Sequence, residues 1–141
     1  MFQGEGLWLV TQYYESIRRE REDWRASKNE RCMVCGWPEN GGEWGQWKWL
    51  ETHEMERRSR APGRWAHPCN YLLVCNICHN GPLAAMPHKT QLAYKLGEDP
   101  KDFDLEAWLR IRDPDLRAPR RVTMEEIREE LEGLGYGAEC G

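Results

Sequence analysis

Cys32-x-x-Cys35 and Cys75-x-x-Cys78 constrain this chain more than any other feature it carries. A two-residue gap lets both thiolates of a knuckle point at one ion while backbone amides support the sulfurs. Two such knuckles give the four ligands of tetrahedral zinc. Two pairs with the same spacing rarely arise by chance in a short chain. The competing readings are a redox pair or buried free thiols. A redox motif usually sits between a strand and a helix in a thioredoxin-like pattern, which is absent here. Cys69 and Cys140 fall outside the pairs and read as bystanders.

At 141 residues the chain has the length of one domain, and a metal staple would supplement its small core. No apolar run is long enough to cross a bilayer. The start, MFQGEGLWLVTQ, has no basic region and carries Glu5, which argues against a secretory signal. The expected location is therefore the cytoplasm, where cysteines read as metal ligands before disulfides. The net charge of −4 argues against a protein that coats nucleic acid through bulk charge. Local basic clusters remain: Arg57, Arg58, Arg60 and Arg64, then Arg110, Arg112, Arg117, Arg120 and Arg121. They read equally as solvated surface or as a phosphate track.

Hydrophobic spacing predicts a helix over 7–28, with Leu9, Tyr13, Ile17 and Trp24 recurring along it. An irregular loop with Gly36, Pro38, Gly41, Gly42 and Gly45 follows. Trp47 to His53 reads as one strand and Tyr71 to Cys75 as another. Pro87 opens a predicted helix that Gly97 closes. Asp104 caps a short helix with Leu105, Trp108 and Leu109, and the Thr123–Glu126 capping box starts a helix over 124–132. Trp44, Trp47, Trp49 and Trp65, among eight tryptophans, are expected to fill the core around the zinc; base stacking is the other role open to them.

Between the knuckles lies Leu50-Glu51-Thr52-His53-Glu54-Met55, followed by Asn70-Tyr71-Leu72-Leu73-Val74-Cys75-Asn76-Ile77-Cys78-His79-Asn80. This order resembles the zinc-stapled HNH endonuclease family over residues 32 to about 86, and the helical tail is similar to that of small phage-encoded proteins of this type. The resemblance implies a ββα-metal fold around one catalytic divalent ion (Mg2+, Mn2+, Ni2+ or Zn2+), distinct from the structural zinc on Cys32, Cys35, Cys75 and Cys78. It implies that His79 is a metal ligand and that His53 faces the same metal. It implies that the Asn70 amide hydrogen-bonds across the loop to hold the catalytic residue. The family usually has His-His or Asp-His where this chain has His53-Glu54. Either His53 is the ligand and Glu54 the general base, or His53 is the base and Thr52 holds the ligand position, with Glu51 assisting. The family's further ligand position falls on Leu83, with His88 and His67 as other candidates.

The expected fold is therefore α+β: an N-terminal helical arm over 1–31, a zinc-stapled ββα core over 32–86 and a helical extension over 87–141 with a flexible tail. The expected function is metal-dependent cleavage or nicking of double-stranded DNA. Arg57, Arg58, Arg60 and Arg64 would hold the phosphate backbone and the C-terminal arginines would extend the track. The rival is a zinc-dependent DNA-binding or adaptor module that kept the scaffold without the chemistry. A protein-interaction module, favoured by the acidic balance, is a third class. For His53, Asn70 and His79 the plain alternatives are a hydrogen-bonded strand end, a turn cap and a surface residue beside a knuckle.

Overall fold

The computed structural model describes residues 3–38, 47–61 and 63–134, and of residues 3–7 the backbone alone. Trp44, Gly41, Gly42, Gly45, Cys140 and the tail from residue 135 lie outside the described residues. The fold is mixed: among the described residues there are five α-helices, three short 3-10 turns and one two-stranded antiparallel sheet. The helices are α1 (Gln3–Ala26), α2 (Asn76–Asn80), α3 (His88–Glu98), α4 (Leu105–Arg112) and α5 (Met124–Gly133). The strands are β1 (Leu50–Glu54) and β2 (Tyr71–Cys75), paired from Leu50 opposite Cys75 to Glu54 opposite Tyr71. Among the described residues no helix is long and apolar enough to cross a membrane.

β2 is buried along its whole length, which its unbroken apolar run requires. It stops at Cys75 because the chain turns there into the second knuckle. That sets where β1 begins, at Leu50 rather than at the expected Trp47. Asn76 extends the pairing by its backbone N–H, which donates to the Trp49 carbonyl at 2.9 Å, and by its side chain. Its Oδ1 accepts from the Trp49 N–H at 3.0 Å and its Nδ2 donates to the Trp47 carbonyl at 2.9 Å. Trp47 and Trp49 are exposed, against the expectation that they fill the core.

Among the described residues, α1 adds to the buried core through its second half. Trp24 is buried, while Trp8, Leu9, Val10, Tyr13 and Tyr14 are exposed, so the apolar spacing is not a buried stripe along the whole helix. Trp24 Nε1 donates to Asp99 Oδ2 at 3.1 Å. Lys95, with a fully buried side chain, uses all three of its protons. They go to the carbonyls of Pro68 and Tyr71, each at 2.7 Å, and to Asp99 Oδ2 at 2.6 Å. This lysine joins the end of α3 to the start of β2.

α3 opens after Pro87 as its residue order predicts, but Gly97 lies inside it and Asp99 ends it. Asp104 caps α4 through its carboxylate on the Ala107 N–H, and the Thr123 hydroxyl caps α5 through the Glu126 N–H. One continuous set of buried apolar residues runs from Trp24 to Ile127, so α3, α4 and α5 share a core with the hairpin.

Candidate metal centre and histidine site

Cys32 and Cys35 sit on a tight turn that Gly36 closes at φ 79°, a left-handed value suited to glycine. Cys75 ends β2 and Cys78 lies one turn into α2. In each knuckle the second cysteine's N–H donates to the first cysteine's Sγ at 3.4 Å. All four sulfurs are buried and lie within 4.8 Å of one another. The Cys35 and Cys75 sulfurs are 3.9 Å apart. Tetrahedral zinc with bonds of about 2.3 Å needs sulfurs about 3.8 Å apart, so this donor set fits the ion. Hydrogen bonds from Cys35 and Cys78 push the Cys32 thiol far down, and the same contacts push Cys78 up. Cys69 is separate and buried, and burial pushes its thiol up to about 12, which leaves it inert.

The second cluster is built by β1, α2 and α3. Adjacent strand residues point to opposite faces. Glu51 and His53 share one face and meet His79, which α2 presents directly after Cys78. The His53 and His79 rings stand edge to face with centroids 5.1 Å apart. His79 Nδ1 lies 3.4 Å from Glu51 Oε1. His53 Nε2 lies 2.8 Å from Gln91 Oε1. The Gln91 amide donates to the Met86 carbonyl at 2.9 Å, so its oxygen faces His53 and His53 must carry its proton on Nε2. That leaves Nδ1 as the lone-pair nitrogen. Burial lowers the His53 pKa below its ordinary value, against the Gln91 hydrogen bond and with the help of His79, so the ring is neutral at pH 7.

Glu54 does not join this cluster. It leaves the opposite face of β1, where Arg21 Nη1 reaches Oε2 at 3.1 Å and Arg58 makes a two-pronged contact at 2.9 Å on each oxygen. Strand alternation thus separates the Glu54 side chain from that of His53, and the two arginines hold it there. Thr52 is on that far face too, its carbonyl accepting from Arg21 at 3.0 Å.

Asn70, just before β2, has no solvent exposure. Its Oδ1 accepts from the Glu56 N–H at 2.7 Å and from Trp108 Nε1 at 3.1 Å. Its Nδ2 donates to the carbonyls of Glu56 and Trp65, each at 3.0 Å. With the Met55 N–H on the Asn70 carbonyl, this closes the 55–70 loop directly after β1.

The four loop arginines divide. Arg58 is held by Glu54 and stacks on the Trp65 ring at 3.9 Å. Arg64 Nε donates to the Ile111 carbonyl at 2.8 Å. Arg57 and Arg60 instead line a cleft of 370 Å³ with Gln91, His88 and Arg112. Leu83 is buried in the wall of that cleft. His88 Nε2 is 3.1 Å from the Met55 carbonyl, and His67 caps the short turn before Asn70. Neither reaches the His53–His79 pair. Among the described residues only the four cysteines gather as a closed set of three or more metal donors. Glu51, His53 and His79 are neighbours but do not form one. Sequence reasoning missed Gln91; its one signal was its place on the helix after the second knuckle.

Comparison of the chain with protein-family models, with curated proteins and with solved structures finds no match.

Proposed function

We propose that the protein is a metal-dependent endonuclease with a zinc-stapled ββα-metal core of the HNH type, acting on DNA. The observation that carries this reading is the meeting of His53 on β1 with His79 on α2 at 5.1 Å, on a hairpin whose loop Asn70 clamps. In this reading His53 is the general base. It is neutral at pH 7, Gln91 fixes its tautomer, and its Nδ1 is left to take a proton from water. His79 and Glu51 supply the metal end of the site. Two protein ligands leave room for substrate oxygens, as in magnesium sites that share the ion with a phosphate. A divalent ion bound there would polarise the phosphate and stabilise the leaving oxygen. Arg57, Arg60 and Arg112 on the adjoining cleft would hold the flanking backbone.

A second reading has one observation in its favour. Glu54 is locked between two arginines, and the histidine cluster offers no closed ligand set, as in a scaffold that kept DNA binding without chemistry. Nicking of supercoiled plasmid with Mg2+, Mn2+ or Ni2+ separates the two. The nuclease reading expects His79→Ala to abolish nicking with zinc content and melting temperature unchanged, and His53→Ala to cost about 10²–10⁴-fold. Glu54→Gln should leave the rate per folded molecule intact. Zinc-loaded protein that nicks with none of these metals would leave the DNA-binding or adaptor reading in its place.

A further inference from the structure

A cavity of 660 Å³ lies between α4, the 113–122 segment and the 55–70 loop. It adjoins the arginine cleft, and Glu56, His88 and Arg112 line both. Its chemistry is graded. At its floor is Glu56, only 3% exposed, whose backbone is fixed by Asn70. Among the described residues no side chain hydrogen-bonds or ion-pairs with the Glu56 carboxylate. Trp108, Leu109 and Val122 supply apolar wall, and Trp108 is pinned at its indole N–H by Asn70. Around the rim stand Arg112, Arg117, Arg120 and Arg121. The rim segment is shaped by Asp113, whose carboxylate accepts from the N–H groups of Arg117 and Ala118, and by Leu116 at φ 52°. Asp113 is thereby occupied, and Glu56 is the carboxylate left to meet a ligand.

A carboxylate that lines a cavity and accepts no hydrogen bond from a protein side chain is left to accept from a ligand. The fitting ligand has N–H donors at one end, a flat apolar body and an anionic end for guanidinium groups. A nucleoside phosphate has these three parts in that order, and the volume lies in the usual range for small-molecule sites. The carboxylate also selects the base. Guanine presents two adjacent N–H donors on its Watson–Crick edge, which match the two oxygens of one carboxylate. Adenine and cytosine present a single amino group, and uracil a single N–H. We propose that this cavity binds a guanine nucleotide, with Glu56 reading the base edge and the four rim arginines holding the phosphate. The nucleotide is either free or an unpaired residue of a strand, since both present the same groups. The proposal goes beyond the nuclease reading and does not rest on it, because binding is read without cleavage.

Calorimetric titration of zinc-loaded protein with GMP, AMP, CMP and UMP tests it, beside a dT oligonucleotide with and without one central dG. The expected result is a guanine preference of roughly tenfold, the size of one good two-pronged base contact. Glu56→Gln should erase that preference, because an amide offers one donor and one acceptor. Arg120→Glu with Arg121→Glu should weaken all four nucleotides alike. Tighter binding of the dG oligonucleotide than of GMP would assign the site to a strand, and the reverse to a free nucleotide. The proposal is overturned if neither GMP nor the dG oligonucleotide is preferred, or if the preference survives Glu56→Gln. If that variant does not fold, the comparison of bases on the wild-type protein decides alone.

Discussion

Asn70 spends every hydrogen-bonding site of its amide inside the protein, on Glu56, Trp65 and Trp108. Replacing it with alanine strands two N–H donors and two carbonyls in a buried loop. Each unmet group costs about 1–3 kcal/mol before relaxation and water recover part of it. Asn70→Ala should therefore lower stability by about 3 kcal/mol or more, read as a fall in urea midpoint at constant slope. An unchanged midpoint would mean the clamp contributes nothing. Asn70 stood out in the sequence because its place before an apolar strand and a knuckle resembles a family order, and the structure shows it buried and fully hydrogen-bonded. Gln91 did not stand out. A glutamine in a helix with Pro87 before it and Gly97 near its end reads as a solvent-facing residue, and its partner His53 is 38 residues away. Glu54 shows the reverse case. It adjoins His53 in sequence, but in a strand adjacency means opposite faces.

At the scale of elements, caps were readable because Asp104 and Thr123 act within one turn of themselves. The start of β1 was not, because the length of β2 sets it. The seating of α1 depends on charges that sequence spacing could not bring together. Lys28, just beyond α1, donates to Asp99 Oδ1 at 2.6 Å and to Asp102 Oδ2 at 2.5 Å. Burial opposes its charge, but the two aspartates outweigh that and raise its pKa above the ordinary 10.5. Burial likewise opposes the Asp102 charge, and Lys28 outweighs it and holds that carboxyl below the ordinary 3.8. A raised lysine stabilises the fold below 10.5 and loses that contribution as pH climbs through its folded pKa. A lowered aspartate stabilises it above 3.8 and loses that contribution as pH falls through its folded pKa. The stability difference between wild type and Lys28→Met should thus be flat between these limits, about 1–3 kcal/mol. It should shrink at both ends. Zinc loss in acid affects both proteins and cancels. A difference independent of pH would show that packing, rather than charge, seats the helix.

For the whole molecule, the four-cysteine cluster is the candidate zinc site on which the other arrangements are expected to depend. It joins the 32–35 turn to the end of β2 and the start of α2 across 40 residues of chain. The free energy of a structural zinc site, about 10–16 kcal/mol in small domains, matches or exceeds the whole stability of a domain this size, about 5–15 kcal/mol. Chelation at neutral pH should therefore unfold the protein cooperatively rather than loosen one corner, and Cys78→Ser should do the same. Restoring zinc under reducing conditions should recover the fold. The measurement is helical circular dichroism against bound zinc, and zinc-free protein with an unchanged urea midpoint would refute it. The dependence reaches the candidate site directly. His79 is the residue after Cys78, and its position against His53 is fixed only while α2 is tied to the hairpin. Chelation should therefore separate the two histidines, and activity lost to a chelator should return fully with Mg2+ only when zinc is supplied first.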